Sequence, residues 1–255
     1  MPIIQSVQRS LKILDLFDEQ TIELKITDIS ERMGLHKSTV HSLLKTLQES
    51  NYIEQNPENG KYRLGMKLVE RGNLVISTMD IRKVAKKYLL EIANKTGQTS
   101  HIGILDGNAG MYIDKEEGEL AIIRYSRIGR RIPLHSTAIG KVLLAYQKPE
   151  KIHQLLEGYE YSLLTDHTLQ NKEELLGELE KVRQQEYAVD NQENEQGVRC
   201  IAVPIKNEQS QVLAALSLST LISRVNDEQL QEYIQLLKQL GQELSQQVRY
   251  AVPSN

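Results

Sequence analysis

Two stretches of the chain carry side chains that can act together chemically. In the first, ITDISERMGLHKSTVHSLLKTL over residues 26–47, Lys37, Ser38, Thr39, His41, Ser42 and Lys45 fall on the outward side of a helical pattern. The other side holds Val40, Leu43, Leu44 and Leu47. Cations, hydroxyls and an imidazole on one helical face suit base edges and phosphates in a major groove. In the second, His135-Ser136-Thr137 stands before a helical run that starts Ala138-Ile139-Gly140-Lys141. Free N–H groups at a helix start, with hydroxyls beside them, bind anions. Two later runs, VRCIAVPIK and VLAALSLST, put Val198, Cys200 and Ala202 on one face and Leu213, Ala215, Ser217 and Ser219 on another. If those faces meet, two serines and a thiol occupy a place that an apolar core fills with carbon. Buried hydroxyls need partners, which either a polar ligand or a neighbouring strand can supply.

Other chemistries do not assemble. The histidines, 36, 41, 101, 135, 153 and 167, include no pair at helical metal-site spacing, so no metal and no cofactor is expected. Ser136 with Asp166 and His167 suggests a hydrolase triad, but no G-x-S-x-G elbow occurs. Gly103, Gly107 and Gly110 precede no helical pattern and make no dinucleotide fingerprint. Arg82-Lys83 with Lys86-Lys87 reads as the solvated face of a helix. A single cysteine, the absence of a signal-peptide pattern and the absence of a long apolar run point to a cytoplasmic protein with no membrane partner. A net charge of -3 argues against an all-over basic coat but leaves room for a local basic surface.

The elements that must position these groups follow from periodicity. A helix is expected over SVQRSLKILDLFDE, capped by Ser6, with Val7, Leu11, Leu14 and Phe17 on its apolar face. Ile22 to Ile26 alternates like a short edge strand, and Thr27 fits the cap of the next helix, which Gly34 ends. Ile26, Ile29, Met33, Leu35, Val40 and Leu43 form the buried set of a helix-turn-helix. YIEQNPENGKYRLG reads as a hairpin, a wing whose Asn59, Lys61 and Arg63 reach toward a sugar-phosphate backbone. Residues 66–77 read as a linker helix. Beyond it lie a helix over IRKVAKKYLLEIANKTG, strands at HIGILDG, MYIDKEE and LAIIRYSR, helices at TAIGKVLLAYQ and NKEELLGELEKVRQQE, the two late strands and a long final helix from Asp227. This is an α+β chain.

Taken together, SVQRSLKILDLF, ITDISERMGLHKSTVHSLLKTL, GKYRLGMKL, LHSTAIGKVLLA, GVRCIAVPI and ALSLS resemble the isocitrate lyase regulator (IclR) family of bacterial transcription factors, in order and over nearly the full chain. The resemblance implies a winged helix-turn-helix over 1–65, a linker helix over 66–78 and a GAF-like effector-binding domain over 79–255. It also implies operator DNA, a small carboxylate or sugar-acid effector and a homodimer or homotetramer, with repression of catabolic genes the commoner role. Lys37 to Lys45 matches the recognition helix, although Ser42 stands where many members have Arg. The family's effector pocket maps onto Leu134 to Gly140, Asp190, Cys200, Ser217 and Ser219. Without the resemblance, Cys200 reads as a packing residue and Asp190 as a turn residue. Two other classes fit the bare pattern: a metabolite-binding enzyme with a helical N-terminal cap, and a DNA-binding architectural protein without a ligand.

Overall fold

The structure is a computed structural model and describes residues 2–121 and 126–251. The chain divides into two compact units, Met1–Thr78 and Met79–Asn255.

The first unit contains α1 (Gln5–Leu14), α2 (Ile26–Met33), α3 (Lys37–Glu49), the hairpin β1 (Ile53–Gln55) and β2 (Tyr62–Leu64), and α4 (Lys67–Ser77). Its core is small: Ile13, Leu24, Ile29, Val40, Leu44, Leu47, Ile53 and Tyr62. Ile26, Met33, Leu35 and Leu43 pack partly against it. Gly34 ends α2 in the left-handed conformation, φ 62°, which lets the chain reverse into α3 within three residues. Neither expected cap forms. Ser6 lies inside α1, and α2 starts one residue before Thr27, with Asp28 accepting from the Lys25 N–H. The expected edge strand shrinks to one bridge, Leu24 with Tyr62, which adds a rung to the wing. Val7 and Leu11 are exposed, as are Val69, Leu74 and Val75 on α4; the buried residue of α1 is Ile13, which the expected face left out, and Phe17 lies beyond the helix end at Leu14.

The second unit is built on one antiparallel sheet of order β5-β4-β3-β8-β7-β6. Its strands are β3 (Thr99–Asp106), β4 (Ala109–Glu117), β5 (Arg131–Ile132), β6 (Ala188–Asn191), β7 (Val198–Lys206) and β8 (Val212–Leu221). On one face α5 (Asp80–Thr96) and α9 (Asp227–Ala251) cover Ile201, Val203, Leu216 and Leu218. On the other, α6 (Ala138–Ala145), α7 (Pro149–Leu155) and α8 (Lys172–Gln185) cover Ala188, Ala202 and Ala215. The strand expected at LAIIRYSR includes residues 122–125, which lie outside the described residues. Asp190 sits in β6, not in a turn. Leu213 leaves the face it was expected to share with Ala215, because a bulge at Ile205/Lys206 shifts the alternation there. Arg82 and Lys86 are not merely solvated: they pair with Asp114 and Glu116, tying α5 to β4.

Candidate functional site

In the first unit the candidate groups are at the surface. Lys37, Ser38, His41, Ser42 and Lys45 are exposed on α3 and Thr39 is half-buried. The opposite side of α3 is anchored by Val40, Leu44 and Leu47, so burial fixes which side faces out. One of these hydroxyls also bonds within the helix, Ser42 to the Ser38 carbonyl at 3.1 Å; farther along, Thr46 donates to the Ser42 carbonyl at 3.0 Å. Lys45 lies 4.0 Å from Glu49. In the wing, Glu23 accepts from Asn56 at 3.1 Å and Asn59 at 2.9 Å, which stiffens the turn and holds its own carboxyl below the ordinary range. Asn59 is therefore occupied. Arg63 pairs with Glu54 at 3.0 Å, and Lys61 is half-buried beside the turn of the wing.

One cationic feature escaped the sequence reading. Arg9 and Lys12 from α1 and Arg32 from the end of α2 line a groove of ≈ 470 Å³ that also includes Gly34. Among the described residues Arg9 and Lys12 form no ion pair. Arg9 and Lys12 are one helical turn apart and meet Arg32 only through tertiary packing, so no window of sequence shows the three together.

In the second unit the candidate groups are buried, and the sheet register explains their arrangement. Residues paired across an antiparallel ladder share a face. One row reads Thr99, Ser219, Cys200 and Asp190 across β3, β8, β7 and β6. The next reads His101, Ser217, Ala202 and Ala188. The third, Gly103, Ala215 and Pro204, runs under α6, where a Cβ on Gly103 would stand 2.9 Å from Ile139. Small residues lie where the helix presses on the sheet, and polar ones lie beyond it.

That polar margin opens on a cavity of ≈ 50 Å³ lined by Asp190, Cys200, Ser219, Asn194, His101 and Tyr112, with Arg130 and Arg131 at its wall. Cys200 donates to Ser219 at 3.1 Å. Burial pushes the Asp190 carboxyl up to about 7; Glu193 adds to this, and Lys141 and the N–H groups of Glu193 and Asn194 oppose it. Burial, with Asp190 nearby, also holds the Cys200 thiol protonated. The sequence reading brought Asp190, Cys200 and Ser219 into the pocket but passed over His101, Tyr112 and Asn194. Ser217 is buried in the row beside it.

The start of α6 is organised differently from the expectation. Thr137 caps the helix, accepting from the Gly140 N–H at 3.0 Å and donating to the Pro133 carbonyl at 2.6 Å, so its hydroxyl is spent. His135 uses both ring nitrogens, on the Tyr159 hydroxyl at 3.0 Å and the Ser162 carbonyl at 3.2 Å. Ala138 and Ile139 are buried in the core under α6. Ser136 alone turns toward the cavity wall, at 3.4 Å from Asn194.

Lys141 is fully buried. It donates to the Val189 carbonyl at 2.5 Å and to both Glu193 carboxylate oxygens, at 2.8 and 3.0 Å, with Glu178 3.8 Å away. Thr168 donates to the Glu193 carbonyl at 2.6 Å and Thr165 to that of Gln192 at 2.6 Å. The segment carrying Asp190 and Asn194 is thus held from two sides.

Two family models match: the "IclR helix-turn-helix domain" over residues 6–57 and the "Bacterial transcriptional regulator IclR C-terminal" over residues 73–246. The chain is 61% identical over 250 residues to the HTH-type transcriptional regulator XynR of Escherichia coli, covering 98% of this chain and 99% of that one. It is 40% identical over 247 residues to KdgR of the same organism, covering 97% and 94%. Among solved structures it is similar to the Thermotoga maritima IclR, with a TM-score of 0.77 and 33% identity over 96% of this chain and 99% of that one.

Proposed function

The chain belongs to the IclR family of bacterial transcriptional regulators, and on that premise we propose that it represses catabolic genes and is released from its operator by a small carboxylate or sugar acid. The observation that carries the reading is the exposed, polar and cationic face of α3 directly after the left-handed turn at Gly34, in a unit matched by a helix-turn-helix model.

Lys37, Ser38, Thr39, His41, Ser42 and Lys45 meet base edges and phosphates in a major groove. Lys61 and Arg63 contact the backbone from the wing, and Arg9, Lys12 and Arg32 take a phosphate in their groove. Residues 1–65 form the DNA-binding domain, 66–78 its connection and 79–255 the effector domain. A homodimer or homotetramer places two α3 helices about 34 Å apart on successive major-groove faces. The apolar faces of α1 and α4 supply a surface for such pairing. The effector occupies the cavity at Asp190, Cys200 and Ser219, with Ser217 and the residues from His135 to Ile139 forming its frame. Binding there stabilises one spacing of the α3 pair over another, and that differential affinity changes operator affinity. The protein acts in the cytoplasm, and no described helix is long and apolar enough to cross a membrane.

Thermal melting of the full chain against small carboxylic, keto and sugar acids tests the sensor. A ligand at a hundred times its Kd adds about 2.7 kcal/mol. Any acid that shifts the melt is then titrated into the complex with an operator selected from random duplexes. Operator affinity that no melt-shifting acid changes, or a panel that shifts no melt, refutes the reading.

A further inference from the structure

Among the described residues, His101 and Ser126 are the buried cavity-lining residues whose side-chain polar atoms find no hydrogen-bond partner, and of the two His101 presents two separate ring nitrogens. It is 1% exposed on β3, between Lys115 of β4 and Ser217 of β8. Its ring lies 4.8 Å from that of Tyr112, tilted by 33°. Neither ring nitrogen has a hydrogen-bond partner among the described residues. Leaving a buried donor and a buried acceptor both unmet is unfavourable, so such a pair calls for a partner. His135 is the internal control: equally buried, it has both nitrogens bonded. Of the two buried histidines in this unit, one is satisfied and the other is not.

The character of the open nitrogens narrows the partner. Burial and the Lys115 cation hold the imidazole neutral, with its pKa down to about 3. A neutral imidazole offers one donor and one acceptor. A carboxylate has only acceptors and leaves half of this group idle. A hydroxyl is donor and acceptor together and matches it at either nitrogen. The rest of the wall agrees: Asp190, Ser219 and Asn194 are hydroxyl partners, and Arg130 and Arg131 supply positive charge for one acidic end. Arg131 is also tied to Asp106 at 2.6 Å.

Resting on the sensor reading above, we propose that His101 is a specificity-determining residue that bonds a hydroxyl of the effector, so that the pocket takes polyhydroxylated carboxylates in preference to plain carboxylates of the same length. His101 stands one row nearer α6 than Asp190, Cys200 and Ser219, so it reads a different part of the ligand from theirs.

The test is calorimetric titration of the full chain with matched probes: five- and six-carbon aldonates against pentanoate and hexanoate. Wild type is expected to bind an aldonate at least about tenfold tighter than the matched alkanoate, because a buried group built for a hydroxyl rejects the analogue that lacks one. His101→Phe keeps a ring of similar size and should lose about tenfold or more for the aldonate with little change for the alkanoate. His101→Gln keeps a donor and an acceptor at altered positions and should retain the aldonate preference while re-ranking the individual aldonates. If His101→Phe does not fold, His101→Gln decides, and an unchanged ranking overturns the proposal. Equal aldonate affinity in wild type and His101→Phe overturns it while leaving the sensor reading intact. A wild type that binds none of the four probes overturns it as well, and whether the sensor reading survives is then decided by the broader acid panel.

Discussion

The two units handle polar side chains in opposite ways. On α3 the chemistry faces water, and apolar residues behind it fix its direction. In the sheet unit the chemistry is inside, where Asp190, Cys200, Ser219 and His101 are held by register and by a buried lysine. The exposed face can meet any partner that brings complementary charge, and its affinity is set largely by electrostatics and screened by salt. The enclosed face meets only what fits, and every mismatch there is penalised by desolvation. One surface gains reach and the other selectivity, which is the division of work a ligand-controlled reader of DNA requires.

The sharpest break of this contrast should come at Lys141. Replacing it with Met leaves Glu193 buried without its cation, and loss of one partner of such a pair destabilises by about 3–5 kcal/mol. Urea denaturation checks this; a loss below about 1 kcal/mol would mean that the carboxylate simply takes a proton and the pair does not hold the wall.

Next in size are two opposed pH dependences. The Asp190 carboxyl lies near 7 folded against 3.8 unfolded, so the folded chain holds an extra proton between those values. That stability is present in acid and is lost as pH rises through 7. His101 lies near 3 folded against 6.5 unfolded, so the unfolded chain takes the proton, and its stability is lost as pH falls below 6.5. Between about pH 4 and 6.5 the two slopes cancel. Relative to wild type, Asp190→Asn should therefore lose stability on acidification by about 1.4 kcal/mol per pH unit, and His101→Gln should gain it. Parallel curves for all three proteins would show that neither group carries the shift described.

On the exposed side, Lys37→Ala should weaken operator binding by about 1–2 kcal/mol and lower the salt slope by about 1 with no change in melting temperature. Arg9→Ala with Lys12→Ala should lower that slope by about 2 if each cation meets a phosphate. Slopes equal to wild type would remove the groove from the interface. The smallest effect is on the wing: Arg63→Ala breaks an exposed pair with Glu54 and should change stability by less than about 1 kcal/mol. Guanidine denaturation reads it, and a larger loss would mean that the wing is braced by more than its hairpin.

The same contrast decides what the sequence could say. The α3 face was legible because helical periodicity sorts Lys37 to Lys45 from Val40, Leu44 and Leu47 within a single window. Alternation likewise put Cys200, Ser217 and Ser219 on the correct faces, and the register joins those faces. His101 was not legible as a pocket residue. It is one polar residue in HIGILDG, and only the pairing of β3 with β8 brings it beside Ser217 and Ser219. Leu213 was misplaced because a bulge leaves no local trace there. The start of α6 misled for a physical reason: the hydroxyl of a helix cap is available to a ligand only when the helix does not use it, and Thr137 is used.

The strand order has a consequence in time. The reader unit is complete once residue 78 has emerged, and its contacts are local. The cavity wall needs β3 to pair with β8, so it must wait for residue 221. At ordinary rates of synthesis that interval is on the order of ten seconds. Every newly made copy thus passes through a brief infancy in which a folded DNA reader is attached to a sensor that does not yet exist, and during which no metabolite can speak to it.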